Sequence, residues 1–246
     1  MVWMGGVNRL LPYALTAAAV AAAVSAAYVL QAYVAPAVVG LKCEGISGWE
    51  LRDACYMESA IVSKKIGLCD NIENISIRDK CYWDIGRALK DLGSCESIGG
   101  LRQSSICITS AGVALKNPDA CDRIGDGQYR SECFYSVGVN MMELKVCGRV
   151  VNSTFKRWCE TEISSKFTDP GECDGAVDTA QRRGCITTIA QTQKNPVVCD
   201  NIPDEPHNSE CYYSVGVKTR DPGICAMVKN QTYRRWCEDE VNAALN

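Results

Sequence analysis

The segment CDRIGDGQYRSECFYSVGVNMMELKV, residues 121–146, decides the fold because it is one copy of a pattern that fills most of the chain. Each copy has 26 residues and two cysteines, and a shorter cysteine spacing, as from Cys121 to Cys133, alternates without exception with a longer one, as from Cys133 to Cys147. Eight ungapped copies follow one another, and they begin at residues 43, 69, 95, 121, 147, 173, 199 and 225. A fixed period of this length is typical of a repeat array whose units pack on their neighbours.

Each repeat has the apolar spacing of helices. Counted from the first cysteine as position 1, positions 10, 13, 14, 17 and 21 lie on one helix face, as Cys81, Tyr82 and Ile85 illustrate. Position 18 is mostly glycine, alanine or serine, which would allow close approach of two backbones. No long stretch alternates with the period of a strand, so we expect an all-α fold.

Start signals divide the repeat into two helices. Asn or Asp followed by Pro at positions 23 and 24, as in Asn117-Pro118, is typical of the N-cap and first residue of a short helix. An Asn, Asp or Gly at position 6 suits the cap of a longer helix over positions 7–20. Two such helices cannot bury their own apolar faces, so the sequence predicts an α-solenoid of eight two-helix repeats forming one domain over residues 43–246.

The cysteines can pair regularly within a repeat or across the boundary between repeats. Pairing across the boundary would leave Cys43 and Cys237 as free thiols, so we expect pairing within repeats. The expected disulfides are Cys43–Cys55, Cys69–Cys81, Cys95–Cys107, Cys121–Cys133, Cys147–Cys159, Cys173–Cys185, Cys199–Cys211 and Cys225–Cys237. Metal thiolates are the weaker alternative, because the chain has no C-x-x-C and only one histidine. Stable disulfides indicate an oxidising compartment.

The N-terminus also indicates export. Residues 10–41 contain no charged residue, and a helix over residues 12–34 would be roughly 35 Å long, enough to cross a bilayer. We expect a short cytoplasmic segment at 1–9 and an uncleaved transmembrane signal-anchor at 10–41, with the repeats on the extracytoplasmic side of the cell membrane. The alternative is a signal peptide cleaved near Ala37, which would release a secreted protein.

A second period, three repeats long, overlies the first. Ser131-Glu132-Cys133 recurs as Ser209-Glu210-Cys211, and Arg157-Trp158-Cys159 recurs as Arg235-Trp236-Cys237. Duplication of a three-repeat block explains this period, and so would a superhelical turn of three repeats. Glycosylation sequons share the period and all stand at position 6; their asparagines are Asn74, Asn152 and Asn230. These asparagines suit either glycan attachment or capping of the long helix.

No set of catalytic residues emerges from the sequence. The single histidine, His207, stands in a turn between helices, and the motifs of common hydrolases, nucleotide-binding proteins and zinc proteases are absent. We expect no enzymatic activity and no cofactor or metal site. All 29 acidic residues follow Lys42, which leaves the array net acidic and without a basic stripe for nucleic acid.

Charged and aromatic side chains recur at fixed positions. Acidic residues at position 2 and basic residues at position 10 form two ladders. They suit either ion pairs within a repeat, for which Asp70–Arg78 and Asp122–Arg130 are the pairs that we expect first, or a plain solvated face. Aromatic residues cluster beside the second cysteine of a repeat: Tyr82-Trp83, Phe134-Tyr135, Tyr212-Tyr213, Trp158 and Trp236. They suit either a binding surface or packing between repeats.

The repeat, with its pattern C-[DE]-x-I-x5-R-x2-C-Y-x3-[AG]-x4-[DN]-P, resembles cysteine-rich helical repeats of uncharacterised exported archaeal proteins. The resemblance covers all eight repeats and implies export, but it implies no activity. We expect a membrane-anchored extracytoplasmic module for protein interaction or envelope structure, whose partners are other envelope proteins or glycans. The alternative is an exported thiol–disulfide or redox-buffering protein, which would need a reactive pair of cysteines.

Overall fold

The computed structural model describes residues 42–245. The chain divides into two compact units, Met1–Ile85 and Gly86–Asn246, and only residues 42–85 of the first are described. The single domain expected over 43–246 therefore stays a prediction. The expected signal-anchor at 10–41 and the alternative cleavage site near Ala37 lie outside the described residues. Between residues 42 and 245, no helix combines the length and the apolar character required to span a membrane.

The described residues form helices and no strands, so the expected all-α class is confirmed for them. The α-helices are α1 (Trp49–Ser63), α2 (Ile75–Leu89), α3 (Leu92–Glu96), α4 (Leu101–Leu115), α5 (Gly127–Met141), α6 (Leu144–Cys147), α7 (Ser153–Ser164), α8 (Thr179–Gln193), α9 (His207–Thr219), α10 (Pro222–Met227) and α11 (Gln231–Leu245). Short 3₁₀ helices span Cys43–Gly45, Ile66–Asn71, Pro118–Arg123, Pro170–Gly175 and Pro196–Asn201.

Every repeat has one short helix with its first cysteine and one long helix with its second. The short helix is 3₁₀ in five repeats and α in three. Most of the expected caps are present, although Asp204 does not cap α9, which begins at His207 after Pro206. The Asn117 side chain accepts from the amide of Asp119 at 3.0 Å, and the Asp126 side chain accepts from the amides of Gln128 and Tyr129. These bonds satisfy donors that a helix N-terminus leaves unpaired.

One disulfide closes each repeat. All sixteen cysteines are paired over a separation of 12 residues, which is the pairing within repeats expected from the sequence. Every cysteine is at most 9% exposed. The disulfides therefore lie inside the core, and each links the short helix of a repeat to the long helix of the same repeat.

In the second unit, the long helices pack in chain order. Helix α4 contacts α5, α5 contacts α7, α7 contacts α8, α8 contacts α9, and α9 contacts α11. One hydrophobic cluster extends from Leu144 to Val228, and it includes the buried position-4 residue Ile202. Repeats of this unit thus complete their cores with side chains of their neighbours.

Three of the four glycines at position 18, Gly86, Gly138 and Gly216, lie close to the disulfide of the following repeat. A Cβ at Gly216 would lie 2.8 Å from the Cys237 sulfur, and one at Gly138 would lie 3.2 Å from the Cys159 sulfur. Both distances are shorter than ordinary van der Waals contact. The small residue at this position is therefore a packing requirement, as the sequence suggested.

Most long helices end in a residue with left-handed backbone conformation that is not glycine. This residue stands at position 22 and has φ between 51° and 56°; the residues are Lys64, Lys90, Lys116, Met142, Lys194 and Arg220. Five of the six are basic, and a cation at a helix C-terminus is favoured by the helix dipole. This turn sends the chain into the next short helix.

The expected charge ladder is only partly formed. Asp174 and Arg182 make the pair within a repeat, with 3.0 Å between oxygen and nitrogen. The two pairs expected first, Asp70–Arg78 and Asp122–Arg130, are not the observed ones. The Tyr82 hydroxyl donates to Asp70 instead, and Arg149 of the next repeat pairs with Asp122 at 2.5 Å. The expected pairs are absent because Asp70 accepts from a tyrosine of its own repeat and Asp122 pairs with an arginine of the next repeat.

Candidate functional site

Three aromatic rings from two successive repeats form the first candidate surface. The Tyr135 ring on α5 lies 6.1 Å from the Phe155 ring on α7, and Phe155 lies 5.4 Å from Trp158 in an edge-to-face arrangement. Phe155 and Trp158 share one face of α7 because they are three residues apart. We call these three rings aromatic cluster 1.

The same arrangement recurs three repeats later. The Tyr213 ring on α9 lies 5.9 Å from the Tyr233 ring on α11, and Tyr233 lies 5.4 Å from Trp236 in an edge-to-face arrangement. These rings form aromatic cluster 2. The interplanar angles of the Trp contacts, 88° and 87°, agree closely between the clusters. The three-repeat period of the sequence is therefore a period of surface geometry as well.

A carboxylate fixes the tyrosine of each cluster. The Tyr135 hydroxyl donates to Glu162 at 2.7 Å, and the Tyr213 hydroxyl donates to Glu240 at 2.6 Å. The hydrogen bond to Glu240, with partial burial, raises the pKa of Tyr213 to about 12, and the bond to Glu162 likewise raises the pKa of Tyr135. Both phenols are therefore neutral donors at physiological pH.

Each cluster presents one tryptophan to solvent. Trp158 and Trp236 are both 50% exposed, although they directly precede the buried Cys159 and Cys237. Phe155 and Tyr233, the rings in edge-to-face contact with these tryptophans, are half-buried. An indole that is packed against the protein on one side and exposed to solvent on the other loses little side-chain entropy on binding. This is typical of contact residues at interfaces.

Apart from Trp83, which is half-buried, the aromatic residues singled out in the sequence fall into two groups. At position 14, Tyr82, Phe134 and Tyr212 are buried core residues. Tyr135 and Tyr213, at position 15, belong to the clusters. Trp158 and Trp236, at position 12, complete the clusters. Sequence reasoning missed Phe155 and Tyr233, although both stand at position 9 of repeats that are three apart, a signal that would have identified them.

The sequon asparagines cap long helices. The side-chain oxygens of Asn74, Asn152 and Asn230 accept from backbone amides two and three residues later. The backbone amide of the asparagine also donates a hydrogen bond to a side chain of the preceding repeat. Ser131 and Ser209 accept the backbone amides of Asn152 and Asn230 at 3.2 and 3.0 Å. Capping is thus observed, and glycosylation stays a prediction.

In the first unit, an aspartate takes the place of the supporting serine. Asp53 is completely buried, and its two carboxylate oxygens accept the amides of Glu73 at 3.0 Å and Asn74 at 2.8 Å. These bonds compensate for removing the carboxylate from water. The device that supports the cap therefore recurs at repeats 1, 4 and 7 with two chemistries.

The single histidine lies beside a polar groove. His207 begins α9, and its Nδ1 lies 2.5 Å from an oxygen of Asp204. The same oxygen accepts from Arg183 of α8 at 3.3 Å. His207 is thus held by a carboxylate that also holds an arginine, a constellation that the sequence did not predict.

Metal ligands do not gather among residues 42–245, where no group of three or more His, Cys, Asp or Glu side chains is arranged to hold an ion. A comparison with known proteins finds no matching family model, no matching curated protein and no matching solved structure. The surfaces of the chain itself are therefore the basis for its proposed function.

Proposed function

We propose that this chain is a membrane-anchored extracytoplasmic α-solenoid that acts as a protein-interaction or envelope structural module. Residues 10–41 are its signal-anchor in this proposal, or a cleaved signal peptide in the alternative. The array from residue 43 onward is the interaction scaffold, and it has no catalytic role.

The observation that carries the proposal is the repeated pair of aromatic clusters. Two half-exposed tryptophans, each in edge-to-face contact with an aromatic ring of the same helix, occur three repeats apart in one compact unit. Tryptophan and tyrosine are enriched where proteins bind each other. Two equivalent contacts on one chain also permit bivalent binding, which strengthens association without any new contact.

Export is supported by three observations of different kinds. Eight buried disulfides suit an oxidising compartment. The uncharged segment 10–41 suits insertion into a membrane. The resemblance to exported archaeal repeat proteins agrees with both.

The redox alternative has less support. A thiol–disulfide protein needs a pair that an incoming thiolate can reach, and every cysteine here is at most 9% exposed. Titration of the native protein with a thiol reagent during mild reduction separates the two functions. One pair that is reduced far ahead of the other seven would favour the redox alternative.

Site-specific photo-crosslinking on intact cells tests the proposal. A photoreactive phenylalanine analogue replaces Trp158 in one variant and Trp236 in another. We expect both variants to attach the same partner, because the clusters have the same geometry. The matched control places the analogue at Leu101, an exposed apolar residue of α4 outside both clusters.

The same attachment at Leu101 would show nonspecific contact and would contradict the proposal. So would the absence of crosslinks at both tryptophan positions in cells that display the folded array.

A further inference from the structure

The second unit contains a polar groove that the aromatic clusters do not use. The groove lies between α8 and α9 and has a volume of about 490 Å³. Its α8 wall runs from Ala180 to Gln191, about 16 Å at the helical rise. Ser214 lies on the α9 wall. This volume is in the range of sites that bind small molecules.

The groove is open because two residues of α8 are small. A Cβ at Gly184 would meet no atom within 4 Å. Three repeats earlier, the positions of Ala180 and Gly184 are occupied by Arg102 and Ile106. The equivalent surface of repeat 3 carries two large side chains, whereas repeat 6 leaves this space open.

The middle of the groove is lined by neutral hydrogen-bonding groups. Thr187, Thr188, Gln191 and Ser214 supply hydroxyl and amide groups. The Thr188 hydroxyl donates to the Gly184 carbonyl at 2.9 Å, so its oxygen is left to accept from a ligand. Most small-molecule sites are largely apolar, and this lining therefore favours a ligand with many hydroxyl groups.

One end of the groove carries charged side chains of both signs. Arg183 and His207 line this end, and Asp204 holds both of them. Glu210 adds a second carboxylate to the lining. Because the arginine and the carboxylates lie side by side, this end does not favour a strongly anionic or a strongly cationic ligand. Fixed donors and acceptors at this end suit the ring hydroxyls of a sugar.

We propose that the groove between α8 and α9 binds a short neutral oligosaccharide. Its length fits a chain of a few sugar rings laid along α8. The threonine, serine and glutamine side chains contact the hydroxyls, and Arg183 and His207 fix one end. This site is independent of the protein-interaction surfaces proposed for the tryptophans.

Titration of the ¹⁵N-labelled array with cellotriose, maltotriose and tri-N-acetylchitotriose tests the site by NMR. We expect saturable shifts of the Gly184, Thr187 and Ser214 amides with at least one of these sugars. Gly184→Ile introduces the residue found three repeats earlier, and we expect it to weaken binding about tenfold or more. The variant should keep its fold because the added side chain enters open space and isoleucine is the better helix former.

Thr192→Ile is the matched control, because it places the same side chain on an exposed position of α8 outside the groove. It should leave the affinity unchanged. The proposal is overturned if none of the three sugars gives saturable shifts, or if Gly184→Ile binds as well as the original chain. Shifts centred on Trp158 and Trp236 would move sugar binding to the aromatic clusters and overturn the groove assignment, and binding of inorganic phosphate alone would overturn it in favour of an anion site.

Discussion

At the scale of single residues, position 14 and the aspartate at position 2 are coupled in repeats 2, 4 and 7. Where position 14 is tyrosine in repeats 2 and 7, its hydroxyl donates to the position-2 aspartate, as Tyr212 does to Asp200 at 2.8 Å. Phe134 has no hydroxyl, and Arg149 instead lies 4.5 Å over its ring and pairs with Asp122. An arginine of the next repeat thus replaces the phenol as the partner of the aspartate.

This coupling predicts a specific response to alkali. Burial and the bond to Asp200 raise the pKa of Tyr212 to about 12, whereas a phenol in the unfolded chain titrates near 10. The stabilisation from a group with a raised pKa is complete below the unfolded value, so it should be lost as the pH rises from about 10 to 12.

Tyr212→Phe should remove one late-titrating phenol from an absorbance titration and flatten the alkaline fall in stability. At neutral pH we expect a loss of about 1 kcal/mol, because one hydrogen bond disappears. Tyr129→Phe, which deletes a half-buried phenol of another repeat, is the matched control. An unchanged alkaline response of Tyr212→Phe would show that the bond to Asp200 contributes little.

At the scale of helices, the array depends on close contact between a position-18 glycine and the following disulfide. Gly216→Ala would place a Cβ 2.8 Å from the Cys237 sulfur and 3.4 Å from the Cys225 sulfur. We expect a destabilisation of about 1–3 kcal/mol, since the buried disulfide cannot move aside easily. Gly184→Ala is the control: it meets open space and should stabilise the helix by about 0.5–1 kcal/mol. Denaturant unfolding of both variants measures the contrast, and equal effects would contradict it.

The disulfides act on the same scale. Replacing Cys173 and Cys185 by serine should lower the free energy of unfolding by about 2–5 kcal/mol. Because repeats pack on their neighbours, hydrogen exchange should increase mainly around residues 173–198. Loss of the terminal Cys225–Cys237 pair should instead affect mainly the last repeat. A uniform increase along Gly86–Asn246 would show that this unit unfolds as one cooperative body.

Some features of the helices were predictable from the sequence, and others were not. The cysteine period predicted the repeats, the two end cysteines Cys43 and Cys237 predicted the pairing, and Asn, Asp and Pro residues at fixed positions predicted most of the caps. The 3₁₀ form of most short helices was not predicted, since a few backbone angles distinguish it from an α-turn. The aromatic clusters and the reach of Arg149 to Asp122 were missed for a different reason: both join side chains of successive repeats, and their contacts depend on how the long helices stack.

At the scale of the whole molecule, the proposal requires an exported array held at a membrane. We expect the full chain to stay with membranes after an alkaline carbonate wash, and we expect protease added to intact cells to digest the repeats. A cytosolic marker protein that survives the protease is the control for cell integrity. A mature N-terminus near Val38 would replace the anchor with a cleaved signal, whereas repeats protected in intact cells would contradict export.

The pairing within repeats has a mechanical consequence. In covalent terms, the array is a row of eight small rings joined by single-chain links, and in each ring the linked Cα atoms lie 5.3–5.8 Å apart. Under tension only the links can be drawn out, so the unfolded oxidised array would reach roughly 60% of the contour length of the reduced chain. A protease cut inside a ring would leave the strand continuous, whereas a cut in a link, for example after Lys116 or Lys194, would sever it. The repeats are thus tethers of limited extension whose weak points are the basic turns between them.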